Sequence, residues 1–327
     1  MKRFLGLHWI LGAIGVAAAI AAPYVLPPFV ISILTLIFIA TILAASVNLL
    51  AGQAGLVSIG HAGIAAAGSY GVAWASVNGL GVGPQLAIAA ALVAAVSIVF
   101  GLTTMRTNGI VFLMITLALG MVTYGLALKL STVTGGQNGL TNIARPEPVA
   151  AYWQFYFLTA AVLGAVLVAM QVIRQSPLGL TFRGVRDSES RMSGLGYSVA
   201  TAKLVAILFS GLFAGVAGVL AVWNSEFISP AASTFARSAM LVVMVIVGGV
   251  GTALGPLVGA SIVVGIEHWV SSYVDRWPTL LGFLFIAVVL FAPAGVVGAV
   301  GQLGQRWPSW GSRRRRPAVG VSNRDAG

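Results

Sequence analysis

Four uncharged polar side chains interrupt an apolar, glycine-rich segment near the start of the chain: Asn48, Gln53, Ser58 and His61. Amide, hydroxyl and imidazole groups donate and accept hydrogen bonds without a fixed charge. Two interpretations fit this pattern equally well. Either the side chains line or gate a path for a small polar solute, or they hydrogen-bond neighbouring helices.

A second polar cluster occupies residues 174–200. Pro177 directly after Ser176 favours the start of a helix. Arg183, Arg186 and Asp187 follow at spacings of three and four residues, so they share one face of that helix. A short charged helix of this kind suits docking onto a soluble protein, and the alternative is a solvated loop that only sets membrane orientation.

Several chemistries are excluded by what the sequence lacks. Lys2, Lys129 and Lys203 are its only lysines, and none follows the glycine-rich turn of an ATP-binding P-loop. The sequence has no cysteine and no HExxH or GxSxG motif, so we expect neither a catalytic site nor a metal site. Glu267, beside His268 and Trp269, fits an interfacial anchor better than a proton relay.

The composition predicts what must position these residues. Hydrophobic residues make up 58% of the chain and charged residues only 8%, far below the quarter typical of soluble domains. The net charge of +11 lies in short loops and near both ends rather than on one basic face with aromatic residues. We therefore expect an all-α, polytopic membrane helix bundle that contacts lipid and no nucleic acid.

Runs of about 20 apolar residues predict about ten membrane spans. They lie near 8–26, 29–50, 60–78, 84–105, 109–130, 152–173, 201–222, 237–256, 257–274 and 279–300. The pair near residue 250 is rich in glycine and includes Pro256, which could instead break one helix or form a re-entrant segment. The first run resembles a cleaved signal peptide as well as a span, and we favour an uncleaved span.

Loop charge predicts the orientation of the bundle. An even number of spans places both termini and the segment 174–200 in the cytoplasm, and the segment 131–151 outside. We expect residues 1–304 to form one transmembrane domain and residues 305–327 a basic, disordered cytoplasmic tail.

Four segments in order resemble the LivM-type branched-chain amino acid permease family of ATP-binding-cassette (ABC) importers. They are Asn48–Ala62, Thr134–Leu140, the segment from Ser176-Pro177-Leu178-Gly179 to Gly194-Leu195-Gly196, and Gly248–Pro256. The third resembles the coupling loop of these permeases. Arg191 and Met192 stand where the family usually has paired alanines after Glu189, a departure that bears on the fit to a partner.

The resemblance implies a function and a set of partners. The chain would import branched-chain amino acids across the bacterial inner membrane, together with a homologous second permease, two ATP-binding subunits and a periplasmic substrate-binding protein. ATP and Mg²⁺ would sit on the ATP-binding subunits, and this chain would bind no cofactor. The residues that would contact those subunits are Arg183, Gly184, Arg186, Asp187, Glu189 and Gly196.

The outer loop and the substrate leave alternatives open. Gly135, Gly136, Asn138 and Gly139 would help to receive the binding protein, or they form a plain turn. Urea and short amides are the alternative substrates, because urea permeases resemble the same family. An ion-coupled carrier that acts alone and a membrane enzyme are the competing classes of protein.

Overall fold

The computed structural model describes residues 21–271, 273, 276–292 and 294–299. Those residues form helices and connections without a strand, apart from one isolated antiparallel bridge between Leu140 and Ile228. The main helices are α1 (Pro28–Leu49), α2 (His61–Val77), α3 (Val82–Thr104), α4 (Gly109–Lys129), α5 (Tyr152–Gln175), α6 (Pro177–Asp187), α7 (Glu189–Gly194), α8 (Val199–Ser225), α9 (Phe235–Gly248), α10 (Gly255–Gly265) and α11 (Trp277–Phe291).

Five of these helices are long and apolar enough to cross a membrane: α1 with its extension to Ala54, α3, α4, α5 and α8. They coincide with five of the predicted spans, which confirms the helical membrane bundle. Most of the predicted first span at 8–26 lies outside the described residues, and so does the predicted tail at 305–327.

The predicted spans at 237–256 and 257–274 differ from the structure. Helix α9 has only 14 residues, and α10 with its π-helical continuation, Gly255–Val270, has 11 and 5. At 1.5 Å per residue, α9 is about 21 Å long, whereas a bilayer core is about 30 Å thick. Gly249 and Gly251 have φ angles of 118° and 76°, a region that L residues avoid, so the helix ends there and α10 begins at Gly255-Pro256.

Short π-helical turns extend two of the helices. Leu50–Ala54 continues α1, and Ile266–Val270 continues α10. Turns of this type are rare and occur frequently at functional sites. Each turn carries polar residues that line one of the cavities described below.

Helices α1, α2 and α8 form the centre of the bundle, while α3, α4 and α5 expose long apolar faces. In the most apolar stretch of each helix, 67% of α8 is buried but only 22% of α4 and of α5. Small residues allow the central helices to approach closely: a side chain at Gly218 of α8 would overlap the backbone of Ala65 in α2.

The bundle has two chemically different ends. The basic end carries Arg106, Arg174 and the helices α6 and α7, and it includes the start of α8 and the turn Gly249–Leu254. The far end carries two connections, residues 130–151 and residues 226–234, which meet at the bridge between Leu140 and Ile228. Each end holds one of the cavities described below.

Candidate functional site

The larger cavity, the far-end cavity, has a volume of about 470 Å³ and lies between α1, α2, α8, α9 and the end of α10. Its walls are mostly aliphatic and contain many small residues, such as Ala40, Ala66 and Ala221. Pockets for small molecules typically measure about 300–1,000 Å³ and combine apolar walls with a few polar groups. The volume and walls therefore suit a small ligand with an aliphatic part.

An ion pair stands on the wall of the far-end cavity. The Arg237 guanidinium lies 3.5 Å from the Glu267 carboxylate, and their side chains are 57% and 21% exposed. Glu267 and His268 belong to the π turn that follows α10, while Arg237 is in the first turn of α9. Opposite charges therefore meet on a wall that is otherwise largely apolar.

The smaller cavity, the basic-end cavity, has a volume of about 220 Å³. Asn48 and Gln53 line it together with Gln171 and Arg174 of α5 and the turn Gly251–Leu254. Two of the four sequence-predicted pathway residues therefore lie on the wall of a cavity.

The two cavities are separated by packed apolar side chains. Helix α1 contributes Leu43 to the far-end cavity and Asn48 to the basic-end cavity. Between those positions, Ala44 and Val47 are buried in one cluster with Val245 of α9. The buried Ala44 and Val47 therefore lie along α1 between the residues that line the two cavities.

Asn48 links the two broken-helix segments at this point. Its Nδ2 donates to the Thr252 carbonyl at 3.0 Å, and its Oδ1 accepts from the Gly251 N–H at 2.7 Å. A side chain at Gly52 would overlap the Gly251 backbone, so the π turn after α1 and the turn 249–254 are in backbone contact. Movement of one turn must therefore displace the other.

Ser58 and His61, the other two predicted pathway residues, line neither cavity. His61 lies 2.9 Å from the Ser58 hydroxyl through Nδ1 and 2.6 Å from the Ser210 hydroxyl through Nε2. The Ser210 hydroxyl in turn donates to the Ser46 carbonyl at 2.6 Å. Since that hydroxyl has one proton, Nε2 of His61 donates to Ser210. This chain of hydrogen bonds joins α2, α8 and α1.

Helix α6 is fastened to the π turn that follows α1. Arg186 donates to the Gly52 carbonyl at 2.7 Å, and Arg183 donates to the Gln53 side-chain oxygen at 3.1 Å. Phe182 and Val185 are buried on the side of α6 that faces the bundle. Asp187 instead pairs with Arg186 at 3.1 Å on the exposed side.

Helix α7 is held by a cluster of charges that the sequence did not reveal. The Glu189 carboxylate lies 2.7 Å from the Lys203 ammonium of α8 and accepts from Asn108 Nδ2 at 2.9 Å. Lys203 also donates to Asn108 Oδ1 and to the Thr107 carbonyl. A lysine inside a predicted span was the available signal, because such a residue needs a partner.

The residues that depart from the family pattern play different parts. Met192 packs against Gly184, where a side chain would overlap its sulfur, whereas Arg191 is exposed. Gly196 has a φ of 87° and lies in the connection between α7 and α8. The Met192 side chain thus packs α7 against α6 at Gly184.

Apolar side chains are exposed on the segment 174–200 although it lies at the charged end of the molecule. They are Leu178, Leu180, Leu195 and Tyr197. These side chains are candidates for burial against a partner, because they lie in the segment that resembles a coupling loop.

The predicted binding-protein-facing loop lies at the far end. Gly135 and Gly139 both have a φ of 73°, and side chains there would overlap the backbone of Gly139 and of Ile228, respectively. Gly136 is buried and donates to the Thr134 hydroxyl, while Asn138 is exposed. The loop therefore packs against the connection that borders the far-end cavity.

Helices long and apolar enough to cross a membrane, with a cavity at each end of the bundle, define a multi-pass membrane protein. Residues 29–293 match the family described as "Branched-chain amino acid transport system / permease component", and the chain belongs to this family. The resemblance seen in the four sequence segments is thereby confirmed.

Two curated relatives carry the same description in their names. Each is called "High-affinity branched-chain amino acid transport system permease protein LivM", one from Escherichia coli (strain K12) and one from Salmonella typhimurium (strain LT2). They are 28% and 27% identical to this chain over 309 residues, which cover 85% of this chain and 72% of each relative. No solved structure matches the chain.

Proposed function

We propose that this chain is the membrane-spanning permease subunit of an ABC importer that moves branched-chain amino acids across the bacterial inner membrane. The observation that carries the proposal is the segment 174–200. It is fastened to the bundle through Arg186 and Lys203, yet it exposes the apolar side chains of Leu178 and Leu195. A surface of this kind suits a soluble partner that pushes or pulls on the bundle.

The partners follow from the family. A homologous second permease, two ATP-binding subunits and a periplasmic binding protein would complete the assembly, and the basic end would face the cytoplasm. ATP and Mg²⁺ would be held by the ATP-binding subunits and not by this chain. Gly184, Asp187, Glu189 and Gly196 would lie at or next to the surface that contacts those subunits.

The contacts of α6 suggest how movement reaches the pathway. When the ATP-binding subunits close, α6 moves with them, and Arg183 and Arg186 draw the π turn at Gly52–Gln53 along. Asn48 passes this displacement to the turn 249–254, which also lines the basic-end cavity. The apolar side chains between the cavities then rearrange, so that one cavity opens to its side of the membrane while the other closes. A difference in nucleotide affinity between the two states drives the shift.

The far-end cavity would receive the amino acid from the binding protein. Its aliphatic walls suit a branched hydrocarbon side chain, and the loop with Gly135, Gly136, Asn138 and Gly139 lies beside it. We propose that this loop forms part of the docking surface for the binding protein.

Copurification with the ATP-binding subunits tests the proposal directly. Gly196→Ala forces a side chain onto a φ of 87°, at a cost of about 1–2 kcal/mol, and should weaken the association. Gly194→Ala is the matched control, because Gly194 has open space around it and an ordinary φ. Equal copurification of the original chain and both variants would contradict the role of this segment.

Uptake into proteoliposomes tests the substrate and the energy source. We expect ATP-dependent uptake of labelled leucine by the complete complex and none by this chain alone. Uptake of urea in preference to leucine would assign the alternative substrate. Uptake by this chain alone, driven by an ion gradient without ATP, would replace the proposal with a secondary carrier.

A further inference from the structure

The far-end cavity lies within one copy of this chain, between α1, α2, α8, α9 and α10. All of its lining residues belong to the described part of the chain, and they divide into two chemical groups. Leu36, Leu43 and Met244 are among the apolar residues, while Arg237, Glu267 and Asn224 are among the polar ones.

The charged side chains of Arg237 and Glu267 on the wall of this cavity keep hydrogen-bonding groups available for a ligand. Arg237 and Glu267 approach to 3.5 Å, but Arg237 remains 57% exposed, so several of its five N–H donors can reach a ligand. Glu267 stands on the π turn Ile266–Val270, which departs from the regular geometry of α10. An arginine and a carboxylate side by side can bind a carboxylate and an ammonium that are carried on the same carbon atom.

We propose that Arg237 and Glu267 bind the two charges of an aliphatic α-amino acid whose side chain enters the apolar part of the far-end cavity. Arg237 donates to the α-carboxylate, and Glu267 accepts from the α-ammonium. Each ligand charge is then paired with an opposite charge beside the largely apolar walls of the cavity. The inference rests on the proposed function and gives it a binding site within this chain.

The absence of cysteine from the chain provides a direct test. Ala221→Cys places the only thiol of the chain on the cavity wall, and its labelling by a small methanethiosulfonate reagent can be followed in the reconstituted complex. Leucine at about ten times its Kd should slow the labelling about tenfold. Asn78→Cys, on the exposed connection between α2 and α3 and outside the cavity, should react at the same rate with and without leucine.

Analogues of leucine separate the roles of the two charged residues. Isoamylamine lacks the carboxylate and 4-methylpentanoate lacks the ammonium, so both should protect Ala221→Cys less than leucine does. Adding Glu267→Gln should weaken protection by leucine about tenfold or more, since it removes a charged hydrogen-bond partner. Arg237→Gln should weaken it similarly and should abolish the preference for leucine over isoamylamine.

Glu226→Gln is the matched control, because Glu226 forms a second ion pair at the far end, with Arg145 at 3.5 Å, and is not among the residues that line the cavity. It should leave protection by leucine unchanged. If leucine transport is intact but leucine does not protect Ala221→Cys, the cavity proposal is overturned while the proposed function stands. Protection that is equal in the Glu267→Gln and Glu226→Gln variants would also overturn it. Protection without any ATP-dependent transport would support the site and contradict the proposed function.

Discussion

Lys203 shows how a single buried charge can connect parts of the chain that are far apart in sequence. Its side chain is only 1% exposed, and its partner Glu189 is 33% exposed. A buried ion pair adds little net stability, but removal of one partner leaves a charge that is difficult to solvate. The ammonium also bonds to Thr107 and Asn108, so α7, α8 and the connection between α3 and α4 depend on one another.

A double-mutant cycle at this pair should show strong coupling. We expect Glu189→Gln to destabilise the chain by about 1–3 kcal/mol, because it leaves the buried Lys203 without its countercharge. Lys203→Met combined with Glu189→Gln should cost less than the sum of the two single changes, with a coupling of about 1–2 kcal/mol. Thermal unfolding of the detergent-solubilised chain measures all three variants, and strictly additive effects would argue against the pair.

At the level of elements, the π turn after α1 and the turn 249–254 meet at Asn48, on the wall of the basic-end cavity. At both interruptions, contacts between segments take the place of regular helical hydrogen bonds. Asn48 supplies two of them, to Gly251 and Thr252. Irregular backbone inside a membrane protein is tolerated where protein or a cavity surrounds it. The arrangement places the least regular backbone of α1 next to the basic-end cavity.

Gly52→Ala should disrupt this contact, whereas Gly164→Ala should not. A methyl group at Gly52 would overlap the backbone of Gly251, which cannot yield as a flexible side chain would, so we expect a loss of about 1–3 kcal/mol. Gly164 lies in α5 with open space around it, and alanine there should be neutral or stabilise the helix by up to about 1 kcal/mol. Thermal unfolding compares the two variants, and equal melting temperatures would contradict the close crossing.

Hydropathy predicted the long helices, and glycine content suggested a break near residue 250 as the alternative to two full spans. Both patterns depend on residues that are neighbours in the chain. The pairing of Asn48 with Thr252 joins residues 204 positions apart, and no local pattern indicates it. The same is true of Arg237 and Glu267, which sequence analysis did not combine. The sequence also does not separate Asn48 and Gln53 from Ser58 and His61, because all four are polar residues in one segment. Only packing assigns two to a cavity wall and two to bonds between helices.

For the whole molecule, the decisive property is the difference between its ends. The basic end carries Arg106, Arg174 and the charged helices α6 and α7, while the far end carries the larger cavity and two connections that meet at the bridge between Leu140 and Ile228. Transport against a gradient requires that the two ends face different compartments and that the cavities do not open at once.

Single cysteines can establish the orientation, because the chain has none of its own. Ser190→Cys lies on the exposed surface of α7 and Asn138→Cys on the far-end loop. In spheroplasts, a membrane-impermeant maleimide should label Asn138→Cys at once and Ser190→Cys only after the membrane is permeabilised. Immediate labelling of Ser190→Cys would place the segment 174–200 outside the cytoplasm and remove the basis for contact with ATP-binding subunits.

The small residues of α2 have a consequence for how this protein is made. Only Ile64, Val72 and Val77 in that helix belong to the residue types that favour entry into lipid, and α2 is not among the helices long and apolar enough to cross alone. Helix α2 packs against α3, which follows directly in the chain, and against α8, whose synthesis ends about 150 residues later. Ribosomes stalled before α8 should therefore hold a nascent chain whose second helix is still loosely inserted, and chaperone or protease attack on unfinished chains should concentrate there.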